Sequence, residues 1–308
     1  MALSTRYIIA LQQLQGYGTK TIKSLADLSI GQDISSTKEL SDFVNNCIDG
    51  KKVSRVKKKS IDEIEDAVNT ADRIISKSET LGINIVSYLD DLFPKNLLST
   101  IDEDGKPAVP IILYYKGDIK VTQHKGVAII GTREPTPEGV QAGEYYGKLF
   151  AELGYNIVSG LAIGCDTAGH KGALSVNGGV TTSLLAHGLD TIYPEENTKL
   201  AEDIITKGGL LISEYPIGTG VNRYNLVARD RLQAALSDVI IVIQTGIKGG
   251  TLHASNTTLK AGKPLFCVYF PKLMSNEKTQ GNAALVEKGA KYLQSSTAKE
   301  QIQEALHQ

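Results

Sequence analysis

The chain has 308 residues, 41% hydrophobic and 22% charged, with a formal net charge of −1. This fits a globular protein with one large domain and a smaller one, and it excludes a uniformly basic nucleic-acid glove but not a local basic cluster. No apolar run is long enough to span a membrane, and those such as residues 239–243 are strand-sized. The three cysteines, Cys47, Cys165 and Cys267, are odd in number and far apart. They point to reduced thiols in a cytoplasmic protein, and no Cys/His spacing suggests a metal site.

Up to about residue 80 the pattern is helical and charged. RYIIALQQL, TIKSLADL and IDEIEDAVNTADRIISKSETL place apolar residues three and four apart, among them Ile61, Ile64, Val68, Ile74 and Ile75. The basic stretch VSRVKKKS between them reads as a solvated turn. Residues 1–80 are therefore expected to form a small all-helical domain and 81–308 a second domain.

In the second part, short β-branched runs at 127–130, 156–159, 180–186, 210–213, 239–243 and 264–269 alternate with amphipathic stretches such as EGVQAGEYYGKLFAEL. Near-continuous apolar strands separated by helices predict an α/β fold. The expected architecture is a Rossmann-like, doubly wound and mostly parallel sheet, with ligands beyond the carboxyl ends of its strands.

Four strand ends carry chemistry-bearing residues. After the first, Gly131 permits a tight turn, Thr132 offers a hydroxyl and Arg133 a guanidinium suited to phosphate, with Thr136 capping the next helix and Pro137 in its first turn. After the second, VSGLAIGCDTAGH sets Ser159, Gly160 and Gly164 before a helix starting near Asp166, which reads as its N-cap. Cys165 and His170 raise the question of a nucleophile, but a buried filler thiol and a packed histidine explain them better. The third end, AHGLDTIYPEEN, offers His187, Tyr193 and Asn197, with Tyr193 either stacking on a base or packing under its loop. The fourth, GIKGGT, sets Lys248, Gly249, Gly250 and Thr251 before a helix, a good phosphate cradle. Upstream, Arg229 and Arg231 are expected at the start of a helix near the same edge. Together these loops predict an anion-binding edge suited to a phosphodiester chain or a nucleotide.

Taken in order, GTREPTPEG, VSGLAIGCDTAGHKGAL, GLDTIYPEEN, LLISEYPIGT and GGTLHA resemble the DNA-processing protein A (DprA/Smf) family. YLDDLFPKNLLSTIDEDGKPAVPIILYYKGD and QGNAALVEKGAKYLQS extend the likeness outward, and LQGYGTKTIKSL resembles the helix-hairpin-helix of the family's small domain. The resemblance implies a cytoplasmic single-stranded-DNA-binding protein that forms a homodimer, protects the strand and loads RecA recombinase, as in transformation of competent bacteria. It implies a mediator rather than an enzyme, without cofactor. Carried over by position, it puts Gly131, Thr132, Arg133, Ser159, Gly160, Gly164, Asp166, Arg229, Arg231, Lys248, Gly249, Gly250 and Thr251 along the DNA groove. This chain departs from the family pattern in Ile163, where many members are basic, in Asp230 between the two arginines, in Gln244 for the usual Glu, and in Phe-Pro-Lys at 270–272.

The alternative from another class is a nucleotide sensor or a phosphoribohydrolase-like enzyme of the same broad architecture. Such hydrolases carry a catalytic Glu after the PGGxGT-type loop, and here none follows Thr251.

Overall fold

The computed structural model describes residues 2–307 and divides into two compact units. One comprises the residues through Phe93 together with 110–114, and the other comprises 94–109 and the residues from Tyr115 onward.

The first unit holds α1 (Thr5–Gln13), α2 (Thr19–Leu28), α3 (Thr37–Asp49) and α4 (Ile61–Thr80), followed by β1 (Asn84–Ser87). Ser4 caps α1 by accepting from the Tyr7 amide. Ser36 and Ser60 form reciprocal capping boxes with Glu39 and Glu63, which fix where α3 and α4 begin. The helices bury Ile8, Ile9 and Leu11, Ile22 and Leu25, Leu40 and Val44, and Ile64 and Val68. Full burial of such a side chain contributes about 1.5–3 kcal/mol. Ile61, read from its spacing as part of the α4 stripe, is exposed because it is the first residue of that helix. Helix α3 is an element the apolar spacing did not announce. The helices end at Thr80, whereas the compact units divide after Phe93.

After β2 (Ile112–Gly117) come β3 (Gly126–Ile130), β4 (Asn156–Ser159), β5 (Thr181–Leu185), β6 (Leu210–Ser213), β7 (Val239–Val242), β8 (Leu265–Val268) and β9 (Lys291–Leu293). Between and after them lie α5 (Pro137–Glu152), α6 (Cys165–Leu174), α7 (Thr198–Thr206), α8 (Arg223–Leu236), α9 (Thr251–Lys260), α10 (Gln280–Glu287) and α11 (Ala298–His307). Strands β3 to β9 pair in the order β6-β5-β4-β3-β7-β8-β9, every pairing parallel. The fold is a Rossmann-like, doubly wound α/β arrangement.

From β3 the chain winds outward through β4, β5 and β6, then returns to the other flank of β3 with β7. The carboxyl ends of β3 and β7 therefore diverge at a topological switch point, where such sheets open a crevice. Strand interiors such as Val127, Ile129, Ile157 and Ile241 are solvent-free and pack with Phe150 and Phe266. Thr136 accepts from the Gly139 amide and Pro137 occupies the first turn, so α5 starts directly beyond the β3 loop.

Candidate functional site

The crevice at the switch point is a cavity of about 540 Å³. Its walls are the loop leaving β3, the loop leaving β7 and one face of α8. Asn222 starts α8 by accepting from the Asn225 amide at 2.9 Å. Arg223, Leu226, Val227 and Asp230, spaced three, four and seven residues along one helix face, then line the cavity.

Of the residues singled out from sequence, Gly131, Thr132, Arg133, Lys248, Gly249, Gly250 and Thr251 lie in the two loop walls. The Thr132 amide donates to the Gln244 carbonyl at 2.7 Å, and its hydroxyl accepts from the Glu134 amide at 3.2 Å, so this turn is held from inside. Arg133, Arg223 and Lys248 are exposed and pair with no carboxylate among the described residues. No side chain caps α9, whose first turn opens on the same cavity. That end carries the partial positive charge of the helix dipole.

The β4–α6 loop differs from its sequence reading. Helix α6 begins at Cys165 after Gly164, and Asp166 does not cap it. The Asp166 carboxylate turns back and accepts from the Gly160 amide at 3.0 Å and the Ala162 amide at 3.4 Å. The amides expected to meet an external anion already donate to an internal carboxyl group. Burial raises the Asp166 carboxyl, while Arg229 and the loop amides pull the other way. Gly164 has φ of +86°, and a Cβ there would lie 2.5 Å from the Thr132 carbonyl oxygen. Asn197 donates to the Leu161 carbonyl at 2.7 Å and fixes the other side of the loop.

Arg229 and Arg231 lie in the middle of α8 rather than at its start, because the helix opens at Arg223. Arg229 is buried: Nη1 donates to the Gly160 carbonyl at 2.9 Å and to the Leu184 carbonyl, and Nε meets Asp230 at 3.2 Å. A Cβ on Gly160 would fall 2.2 Å from this guanidinium, so only glycine lets the strut pass. Arg229 and Asp166 reach the cavity from within its wall. Ser159, whose hydroxyl donates to the Ile129 carbonyl at 2.6 Å, is not among the lining residues, nor are Gly160 and Gly164. Arg231 lies outside this cavity too, donating to Glu214 at 2.6 Å and to the Ala108 carbonyl at 3.1 Å.

Cys165 is solvent-free, and burial pushes its thiol up to about 12, the reverse of an activated nucleophile. His170 is equally buried. Thr181 Oγ1 gives its proton to the Ile157 carbonyl, so the 2.7 Å contact with His170 Nδ1 is donated by the imidazole. Tyr193 is half-exposed. Sequence reasoning missed Arg223, Leu226, Gln233 and His253 among the lining residues. The helical spacing from Arg223 to Asp230 could have found that wall. His253 Nδ1 lies 2.9 Å from Glu103.

Among the described residues no group of three His, Cys, Asp or Glu could hold a metal ion, and no helix is long and apolar enough to cross a membrane.

A family model described as DNA recombination-mediator protein A matches residues 84–306. The chain is 32% identical over 235 residues to the DNA processing protein DprA of Bacillus subtilis, covering 76% of each. It is 31% identical over 200 residues to the protein Smf of Escherichia coli, an alignment covering 65% of this chain and 51% of that protein. The chain thus spans about half the length of this relative, and likewise of the Synechocystis protein Smf. Among solved structures, DNA processing protein A of Streptococcus pneumoniae superimposes with a TM-score of 0.74 at 25% identity, covering 95% of both chains. That of Helicobacter pylori, solved for its single-stranded DNA binding mode, has a TM-score of 0.58 at 32% identity over 68% of this chain and 90% of its own. With the family model and the Bacillus relative both matching over most of its length, the chain belongs to the DNA recombination-mediator protein A family.

Proposed function

We propose that the switch-point cavity binds the phosphodiester backbone of single-stranded DNA, and that the protein is a recombination mediator rather than an enzyme. The observation that carries this reading is the convergence of Arg133, Arg223, Lys248 and the uncapped start of α9 on one open cavity. Exposed Lys and Arg side chains supply salt-dependent, sequence-independent attraction to phosphates, and a helix N-terminus aims amides at one of them. Membership of the family and the DNA-binding mode of the Helicobacter relative support the polymer over a small anion. On the same reading the protein acts in the cytoplasm as a homodimer, shields the bound strand and delivers it to RecA.

Fluorescence anisotropy with labelled oligonucleotides at low salt tests the reading. Single strands should associate more tightly than duplexes, with affinity falling steeply as salt rises. The absence of any association at low salt would overturn it. A nucleotide sensor is the competing assignment, since a 540 Å³ cavity also accommodates one nucleotide. A sensor would be strongly stabilised against heat by mononucleotides, whereas a strand-binding protein would not.

A further inference from the structure

We infer that Asp230 makes this cavity select phosphodiesters, which carry one charge per phosphate, over terminal phosphates and free nucleotides. The inference rests on the reading of the cavity as a phosphate site and names the phosphate class it accepts.

Asp230 projects from α8 into the cavity and its side chain is 13% exposed. Oδ1 meets Arg229 Nε at 3.2 Å, while Oδ2 lies 3.8 Å from where a Cβ on Gly250 would stand. Gly250 immediately precedes α9, so this carboxylate faces the helix end at which a ligand phosphate would gain most. The protein's own anion thus lies beside the best anion position in the cavity.

The charges around it leave little room for a second negative charge. Arg229 is spent on Asp166, Asp230 and two strand-end carbonyls, so it is not a free cation. With the buried Arg229 set aside together with Asp166, the side chains of Arg133, Arg223 and Lys248 stand against Asp230 and Glu134, an excess of one cation. A phosphodiester matches that excess. A terminal phosphate at pH 7.5 brings close to two charges and meets Asp230 as a like-charged neighbour. With an amide at this position the excess would be two, which suits the dianion.

The ionisation of Asp230 agrees with this role. Burial above all, against the lowering pull of Arg229 and His253 and with Asp166 adding to the rise, brings its carboxyl to about 6. His253 is itself held against Glu103. At pH 7.5 Asp230 carries its charge into the cavity.

The test compares 3′-labelled single-stranded oligonucleotides with and without a 5′-phosphate, binding to the full chain at pH 7.5, with nucleoside monophosphate as competitor. The wild type should bind both oligonucleotides equally and resist displacement. Asp230→Asn should prefer the phosphorylated strand by on the order of tenfold and become displaceable. Glu134→Gln, at an exposed lining residue that forms no ion pair with Arg229, should shift in the same direction by less. It serves as the deciding variant if Asp230→Asn does not fold. A wild type that prefers the phosphorylated strand, or variants that fold yet gain no such preference, overturns the inference while leaving strand binding intact. Failure of every oligonucleotide to bind overturns the strand-binding reading, and the inference with it.

Discussion

The Asp166 carboxyl accepts a hydrogen bond from the Gly160 amide at 3.0 Å, so the β4–α6 loop is organised around a side chain of its own. The same carboxylate holds the Ala162 amide, between which Leu161 adopts φ of +64°, a conformation that costs a non-glycine residue energy. Asp166→Ala removes the acceptor and leaves these two amides, one of them buried, and Arg229 undercompensated. It should lower unfolding stability by about 2 kcal/mol. Urea titration reads this directly, and a variant that unfolds at the wild-type midpoint would show that the carboxylate does not organise the loop.

Cations that look alike in sequence should separate by function. Arg133→Ala, Arg223→Ala and Lys248→Ala each remove an exposed, unpaired charge from the cavity. Each should weaken oligonucleotide binding and reduce the slope of log affinity against log salt by about 0.7. Arg231→Ala should leave that slope unchanged and destabilise the fold instead, because Arg231 ties α8 to Glu214 and Ala108. Anisotropy over a salt series, with thermal unfolding alongside, distinguishes the two outcomes.

The difference between these arginines also marks how far the sequence could be read. The parallel sheet was legible because strands such as β3 and β7 are buried on both faces and read as unbroken apolar runs. The two loop walls were legible because glycines stand beside Arg133 and Lys248 at strand ends, where such a sheet opens its crevice. Whether Arg229 faces solvent or props up two strand ends is not written in its neighbours. It follows from Gly160 and Leu184, which lie 69 and 45 residues away. The start of α8 is set by the cap at Asn222, well ahead of Arg229. Helix α3 is announced by the capping box of Ser36 and Glu39 rather than by apolar spacing.

Binding should depend on pH through Asp230. Its carboxyl is raised to about 6, chiefly by burial, so acidification protonates it and leaves the cavity more positive. An oligonucleotide without terminal phosphates should therefore bind more tightly at pH 5.5 than at pH 8. Asp230→Asn should bind as tightly at pH 8 as the wild type does at pH 5.5, with a flatter profile. Stability carries the same sign. A carboxyl raised above its unfolded value of 3.8 contributes stability that is present below pH 3.8 and lost as the pH rises through 6. The melting temperature of Asp230→Asn should gain on the wild type across that window, and parallel curves would remove Asp230 from the account.

His170 should govern the acid limb of stability. Burial, with Arg229 nearby, depresses its imidazole from 6.5 to about 3, so the folded protein holds it neutral. Its Nδ1–H is committed to Thr181, and its Nε2 is buried without a partner, so nothing would accept a hydrogen bond from a second proton placed there. The unfolded chain takes up that proton below 6.5 and the native state does not. The contribution is therefore fully present above pH 6.5 and is lost as the pH falls toward 3. At pH 5 the loss should be about 2 kcal/mol relative to pH 7. Glutamine can keep the hydrogen bond to Thr181 without titrating, so His170→Gln should lose less stability than the wild type between pH 7 and pH 5 in chemical denaturation. Equal losses in the two proteins would show that carboxylates elsewhere dominate the acid response.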